Sequence, residues 1–95
     1  MISLIERYRV KKENIEEVKK EVRKFVTMVK DFEPEVLVHE SYQLEDEQEF
    51  IHIVKFQNKE AKENHDETDW RKNFLDKINL LCERKIEEIN LKSFY

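Results

Sequence analysis

The sequence contains no glycine among its 95 residues, and it has one proline and one cysteine. Loops that cradle a phosphate through glycine backbone, such as P-loops and dinucleotide-binding turns, are therefore excluded. The single cysteine, Cys82, excludes an internal disulfide. Because it falls in an apolar run with no histidine nearby, we expect it to pack as a small hydrophobe rather than as a reactive thiol. This cysteine usage fits a reducing compartment, and we expect a cytoplasmic protein.

Long apolar runs are also missing. No stretch approaches the roughly 20 apolar residues of a membrane span, and the N-terminal segment is charged too early to predict a signal peptide. The net charge is −4, and acidic and basic residues are interspersed through the chain. Without a basic patch carrying interleaved aromatics, nucleic acid is not an expected partner, and neither is a membrane.

The residues that are present are sufficient for one small domain. The chain is 39% hydrophobic, so we expect a single core and one domain over residues 1–95. Because 42% of the residues are charged, little apolar material remains to cover a second surface. Domains of this size often complete a thin core by oligomerising.

The first half of the chain predicts a strand, a helix and two further strands. Residues 2–10 alternate as a strand, with Tyr8 on one face and Arg7 on the other. An apolar stripe at helical spacing follows Asn14, which is a predicted N-cap with Glu17 completing a capping box. We expect this helix to run to about Lys30. Residues 36–43 and 49–57 are predicted strands joined by an acidic turn.

The second half predicts two helices and a final strand. Asn58 is expected to cap a short helix through His65, and Thr68 or Asp66 to cap a longer helix that carries Trp70. The end, RKIEEINLKSFY, predicts a strand with Tyr95 on one of its faces. The order βαββαβ is the ferredoxin-like α+β pattern: a four-stranded antiparallel sheet with two main helices on one face.

The predicted strands carry apolar residues on both of their faces. Two helices cover one face of the sheet, and the chain offers no further helix for the other. A second copy packed sheet against sheet is the simplest cover, so we expect a homodimer in the form of a dimeric α+β barrel.

The element order and the segment FEPEVLVHESYQLEDEQEFIHIVKFQNKEAKENH resemble the antibiotic biosynthesis monooxygenase (ABM) family. Glu33 and Pro34 match a Glu-Pro-Gly motif that members often show before the second strand, with a glutamate in place of the glycine. Ala61 and His65 match an alanine and a histidine four residues apart in the helix after the third strand. The resemblance covers nearly the whole chain and implies the dimeric α+β barrel.

The resemblance also implies an activity. Several members insert oxygen into an aromatic or quinol-like substrate without a metal, flavin or haem, because the deprotonated substrate itself supplies electrons to oxygen. Such a site needs a general base, an aromatic enclosure and hydrogen-bond donors, in a cavity between sheet and helices. We therefore expect no cofactor. A haem-degrading branch relies on asparagine, tryptophan and histidine at positions that here hold Arg7, His65 and Leu75, so haem degradation is disfavoured.

His65 is the best candidate for the catalytic base. Imidazole titrates near neutral pH, and the resemblance places this residue beside the cavity. The alternative is a structural histidine stabilised by the dipole at a helix C-terminus. His65 and Asp69 would share a face of one continuous helix, but the predicted helix break between them and the lack of a second histidine argue against a metal site.

The other candidates for lining the substrate cavity are Arg7, Tyr8, His39, Tyr42, His52 and Trp70. His39 and His52 lie on adjacent predicted strands, but without the register they could equally be isolated surface histidines. Trp70 heads an apolar helical stripe, so core packing is its alternative role. Arg7 inside a barrel would need an acid or an anionic substrate as its partner, and Glu6 and Glu40 are the candidate acids.

Three functions remain compatible with the sequence. The leading one is a small cofactor-independent monooxygenase acting on an aromatic or quinol-like compound. The alternative is a non-catalytic ligand-binding or stress-response protein on the same dimeric fold. The third is a purely structural dimerisation domain, because a fold does not by itself determine a function.

Overall fold

A computed structural model describes all 95 residues. The strands are β1 (Ile2–Val10), β2 (Val36–Gln43), β3 (Glu49–Phe56) and β4 (Cys82–Leu91). The helices are α1 (Ile15–Phe32), α2 (Lys59–Glu67) and α3 (Asp69–Leu81), with a short 3-10 turn at Lys12–Asn14 before α1. No helix is long and apolar enough to cross a membrane. The predicted order of strands and helices is confirmed.

The four strands form one antiparallel sheet in the order β2-β3-β1-β4. Burial alternates along the central strands, because successive side chains of a strand point to opposite faces. On one face, Tyr8 of β1 and Phe50 of β3 lie opposite each other and are buried under the helices. The other face carries no helix. The protein therefore has the ferredoxin-like α+β fold that the sequence predicts.

The core lies between the covered face of the sheet and the helices α1 and α3. Phe25 of α1 stacks on Phe74 of α3 with ring centroids 4.2 Å apart, and Tyr8 stacks on Phe50 at 5.6 Å. Burying side chains of this size contributes about 1.5–3 kcal/mol each. A smaller cluster, which includes Phe56, packs beneath α2. These contacts fix α1, α2 and α3 above the strands that carry the site.

Two of the predicted helix caps form. The Asn58 side chain accepts a hydrogen bond from the backbone N–H of Ala61 (2.8 Å), and Thr68 accepts one from the backbone N–H of Arg71 (3.2 Å). Each cap satisfies a backbone donor that the first helical turn leaves free. The break between α2 and α3 therefore lies at Thr68, three residues beyond His65.

The predicted N-cap of α1 and the predicted extent of the last strand were wrong. Asn14 does not cap α1 with its side chain, because the 3-10 turn precedes the helix and the Asn14 amide instead donates to the carbonyl of Leu81 (3.2 Å). α1 continues beyond Lys30 to Phe32, and the last strand ends at Leu91, so Tyr95 lies outside it.

A bulge in β2 sets the register between β2 and β3. The pairing shifts between Val36 and Val38, and beyond it Ser41 lies opposite His52. The bulge decides which β2 side chains turn towards the helices, because a one-residue slip exchanges the two faces of a strand. His39 and Ser41 thereby share the helix-covered face with His52.

Candidate functional site

All three histidines of the chain meet between the sheet and the helices. His39 comes from β2, His52 from β3 and His65 from the last turn of α2, and all three are buried. The ring centroids of His39 and His52 are 5.7 Å apart, and those of His39 and His65 are 6.4 Å apart. We call these three residues the histidine cluster. The sequence could not decide whether His39 and His52 share a face, and the register shows that they do.

His65 is held by a carboxylate. Its Nδ1 lies 3.0 Å and 3.1 Å from the two carboxylate oxygens of Glu33, which follows α1 directly. The same carboxylate accepts a hydrogen bond from the indole nitrogen of Trp70 (2.8 Å). Because an ionised carboxylate only accepts, Nδ1 of His65 carries the proton and donates it to Glu33. The hydrogen bonds of the His65 ring are made through Nδ1 alone, so Nε2 keeps a free lone pair in this tautomer.

The surroundings of His65 are mostly aromatic. Its ring centroid lies 5.2 Å from that of Phe56 and 5.8 Å from that of Phe25. Burial lowers the pKa of His65 below its ordinary value, and the negative charge of Glu33 works against this shift. His65 is therefore a neutral imidazole at pH 7, with Nε2 as the nitrogen that can accept a proton.

His52 forms the centre of a hydrogen-bonded chain. Its Nε2 lies 2.7 Å from the hydroxyl of Tyr8, and its Nδ1 lies 2.7 Å from the hydroxyl of Ser41. Burial raises the pKa of Tyr8 far above its ordinary value, so the phenol keeps its proton. His52 Nε2 is the sole partner of this buried phenol, so we assign Tyr8 as the donor to Nε2. Nδ1 of His52 then carries the proton and donates to Ser41.

His39 is buried without a hydrogen-bond partner. Neither ring nitrogen meets a protein donor or acceptor, and the ring sits edge-on against Phe25 at 5.4 Å. An unsatisfied buried polar group costs about 1–3 kcal/mol. Burial lowers the pKa of His39 to about 3, and the neighbouring His52 and His65 add to the shift. Burial and then the charge of Arg71 lower the pKa of His52 to about 3 as well.

A buried ion pair lies beside the histidine cluster. Arg71 of α3 donates to both carboxylate oxygens of Glu6 on β1, and its guanidinium carbon lies 5.7 Å from the ring centroid of Phe25. Arg71 was not among the residues predicted from the sequence, and Glu6 was predicted only as a partner for Arg7. One signal was available: Glu6 occupies the apolar face of β1, where a charge requires an opposite charge.

Two clefts border this interior. An open groove of about 590 Å³ lies between α1 and β2, with His39 and Ser41 in its lining. A smaller cleft of about 270 Å³ lies where α1, α2 and α3 meet, with Glu33 and Trp70 in its lining. Small-molecule sites usually measure about 300–1,000 Å³. The groove lies within this range and the cleft lies just below it, and the carboxylate that orients His65 borders the cleft.

The predicted cavity residues fall into two groups. Tyr8, His39, His52 and Trp70 lie with His65 on the helix-covered side of the sheet. Arg7 does not, because alternation along β1 turns it to the open face, where its Nε contacts Glu87 at 3.2 Å.

Tyr42 also lies apart from the cluster. It is half exposed at the sheet edge and donates from its hydroxyl to Glu40 at 2.9 Å. Its ring nevertheless borders the groove between α1 and β2.

The cluster is not arranged as a metal centre. No three His, Cys, Asp or Glu side chains are placed to hold a metal ion. Both ring nitrogens of His52 are engaged by hydroxyl groups, and Nδ1 of His65 is engaged by Glu33. The arrangement instead suits proton transfer, because it combines a carboxylate-oriented imidazole with hydrogen-bonded hydroxyl groups.

The fold and this interior define a ferredoxin-like α+β protein with a polar site between sheet and helices. The sequence profile of the antibiotic biosynthesis monooxygenase family matches residues 1–77. The chain belongs to this family, as the motif around Glu33 and the spacing of Ala61 and His65 predicted.

Solved structures share the fold at low sequence identity. A crystal structure of an antibiotic biosynthesis monooxygenase superimposes with a TM-score of 0.91 at 19% identity, over all of both chains. Rv0793 from Mycobacterium tuberculosis gives 0.90 at 14% identity, over 99% of this chain and 95% of that one. A conserved protein from Methanosarcina mazei Go1 gives 0.88 at 13%, over 97% and 91%. No curated protein matches the chain.

Proposed function

We propose that the protein is a small monooxygenase that acts on an aromatic or quinol-like compound without a cofactor, with His65 as the general base. The observation that carries the proposal is the contact between Nδ1 of His65 and the carboxylate of Glu33. A base oriented by a carboxylate, with its second nitrogen free, is the arrangement used for proton abstraction. Family membership supports the reaction class.

The proposed chemistry begins with proton abstraction. Nε2 of His65 takes a proton from an acidic C–H or O–H of the substrate, and Glu33 stabilises the imidazolium that forms. The resulting carbanion or phenolate supplies electrons to molecular oxygen. For a methylene between aromatic rings, the products are a ketone and water, so the substrate and oxygen balance the reaction without a further reductant. Trp70 keeps the Glu33 carboxylate in position through its indole N–H.

We also propose that the protein is a homodimer joined through the open faces of two sheets. Ile5 of β1 pairs with Ile53 of β3 and with Ile89 of β4, so three isoleucines form a row across this face. Ile51 and Val38 extend the apolar area, and all five are half-buried without any helix above them. A second copy of the same sheet would remove this surface from water.

Oxygen uptake tests the proposed activity. Metal-stripped protein is assayed against hydroquinones, anthrones and polyphenols, beside His65→Gln and an exposed control on the same helix, Glu63→Gln. We expect uptake above the spontaneous rate, lowered about 10²–10⁴-fold in His65→Gln and unchanged in the control. Thermal stabilisation by these compounds without any product would instead support the non-catalytic ligand-binding protein.

A further inference from the structure

The groove between α1 and β2 has the size of a small-molecule site and a lining of mixed character. One wall is a face of α1, where Val22 and Val26 provide the apolar contacts. The other wall is the edge strand β2, which contributes His39, Ser41 and Tyr42. Its volume of about 590 Å³ would accommodate one substituted aromatic ring.

The charges of the groove are predominantly positive. Arg23 and Lys30 project from the same face of α1, about two helical turns apart, and neither is paired with a carboxylate. The acid in the lining, Glu40, accepts a hydrogen bond from the hydroxyl of Tyr42 (2.9 Å). Two unpaired cations therefore face a space that contains a single carboxylate, although the whole chain has a net charge of −4.

The floor of the groove is formed by a serine whose hydroxyl proton is free and by a histidine without a hydrogen-bond partner. With Tyr8 donating to Nε2 of His52 and Nδ1 of His52 donating to Ser41, the Ser41 hydroxyl keeps its own proton for a ligand. His39 is buried in the same lining, and both of its ring nitrogens are unpaired. A ligand oxygen that accepts hydrogen bonds would satisfy the free proton of the Ser41 hydroxyl.

We propose that this groove binds a small aromatic carboxylate. The ring packs on Val22 and Val26, while the carboxylate lies among Arg23, Lys30 and the Ser41 hydroxyl. A neutral ring of the same shape gains the apolar contacts but leaves the cations unpaired, so charge is the basis of selection. His65 does not line the groove, but His39 does, and its ring centroid lies 6.4 Å from that of His65. Binding is inferred from the groove alone, and only the role of the bound compound as a substrate rests on the proposed function.

The test compares two probes of the same shape and different charge, 4-hydroxybenzoate and 4-hydroxybenzamide. Calorimetric titration gives their affinities, and amide NMR shifts give the place of binding. We expect the carboxylate to bind at least tenfold more tightly and to shift the amides of residues 23–30 and 39–42. The double variant Arg23→Gln/Lys30→Gln should lose about tenfold in affinity for the carboxylate, since an exposed ion pair contributes up to about fivefold. Its affinity for the amide should not change.

The matched control is Lys85→Gln, an exposed lysine without an ion pair on β4, at the opposite edge of the sheet. It should bind the carboxylate as the wild type does. Equal affinity for both probes, no binding of the carboxylate, or shifts confined to the cleft beside Trp70 would each overturn the proposal. Carboxylate binding in the groove without oxygen uptake would support the proposed binding site and contradict the proposed monooxygenase activity. Oxygen uptake without carboxylate binding in the groove would support the activity and contradict the binding site.

Discussion

Nδ1 of His65 lies 3.0 Å from Oε1 of Glu33, although 32 residues separate them in the chain. The contact joins the end of α1 to the last turn of α2, and Trp70 at the start of α3 donates to the same carboxylate at 2.8 Å. One acidic side chain thus links the end of α1 to the end of α2 and to the start of α3 through hydrogen bonds. It also selects the tautomer of His65 that leaves Nε2 free.

Glu33→Gln should lower the pKa of His65 further. The carboxylate raises this pKa against the effect of burial, so its removal leaves burial unopposed. An NMR titration of the His65 ring protons measures the change, and oxygen uptake should fall with it because the imidazolium loses its stabilising charge. Glu35→Gln, an exposed acid two residues away, is the control and should leave the pKa unchanged. A pKa that stays constant or rises in Glu33→Gln would contradict the assigned contact.

Stability should fall as the pH is lowered from about 7 towards 3. Burial lowers the pKa of His39 and of His52 to about 3 in the folded protein, against about 6.5 in the unfolded chain. Below pH 6.5 the unfolded chain therefore binds more protons than the folded protein, and each such histidine costs about 1.4 kcal/mol per pH unit until the folded pKa is reached.

His39→Phe isolates the contribution of one histidine to this pH dependence. Between pH 7 and pH 5, the variant should lose about 2 kcal/mol less unfolding free energy than the wild type, measured by urea denaturation. Phenylalanine keeps the aromatic contact with Phe25, and the carboxylates titrate alike in both proteins. Equal losses in the two proteins would show that His39 is not held neutral by burial.

Sequence periodicity was sufficient to predict the order of strands and helices, because the spacing of apolar residues along each element shows which of its faces is buried. The alternation along β1 placed Tyr8 and Arg7 on opposite faces, as observed, and Asn58 and Thr68 marked two helix starts. The capping function of Asn14 could not be settled locally, because the carbonyl of Leu81 competes for its amide group from 67 residues away.

The site was only partly predictable, because it depends on register and on long-range pairing. Whether His39 meets His52 is decided by the bulge in β2, for which the sequence gives no glycine or proline signal. Arg71 lies in a highly charged stretch that reads as solvated surface until the position of Glu6 is known. The role of Glu33 likewise requires the ends of α1 and α2 to be placed side by side.

Arg71→Met should be strongly destabilising. It leaves the carboxylate of Glu6 buried without its counter-charge, and breaking a buried pair in this way costs about 3–5 kcal/mol. Urea denaturation should show most of that loss recovered in Glu6→Gln/Arg71→Met, because no uncompensated charge then remains. Arg7→Met breaks the half-exposed pair with Glu87 and should cost less than about 1 kcal/mol. Similar losses of unfolding free energy in Arg71→Met and Arg7→Met would contradict the expectation that the buried ion pair is the more costly one to break.

Ile53→Lys should separate the proposed dimer without unfolding the subunit. Ile53 lies in the isoleucine row of the open face, beside Ile5, and its side chain does not enter the core beneath the helices. A lysine there is tolerated by a solvated sheet face, but two unpaired charges at a sheet-to-sheet interface should weaken association at least about a hundredfold, or about 3 kcal/mol. Sedimentation velocity gives the mass, and circular dichroism checks the fold.

The control for this variant is Asn73→Lys, which adds the same charge at an exposed position on α3 and should leave the mass unchanged. A wild-type protein that sediments as a monomer at micromolar concentration would reject the dimer outright. A variant Ile53→Lys that keeps the mass of a dimer would instead locate the interface away from the isoleucine row, at a sheet edge or on the helices. Because the row runs across three strands of the open face without any helix above it, we expect the mass to halve.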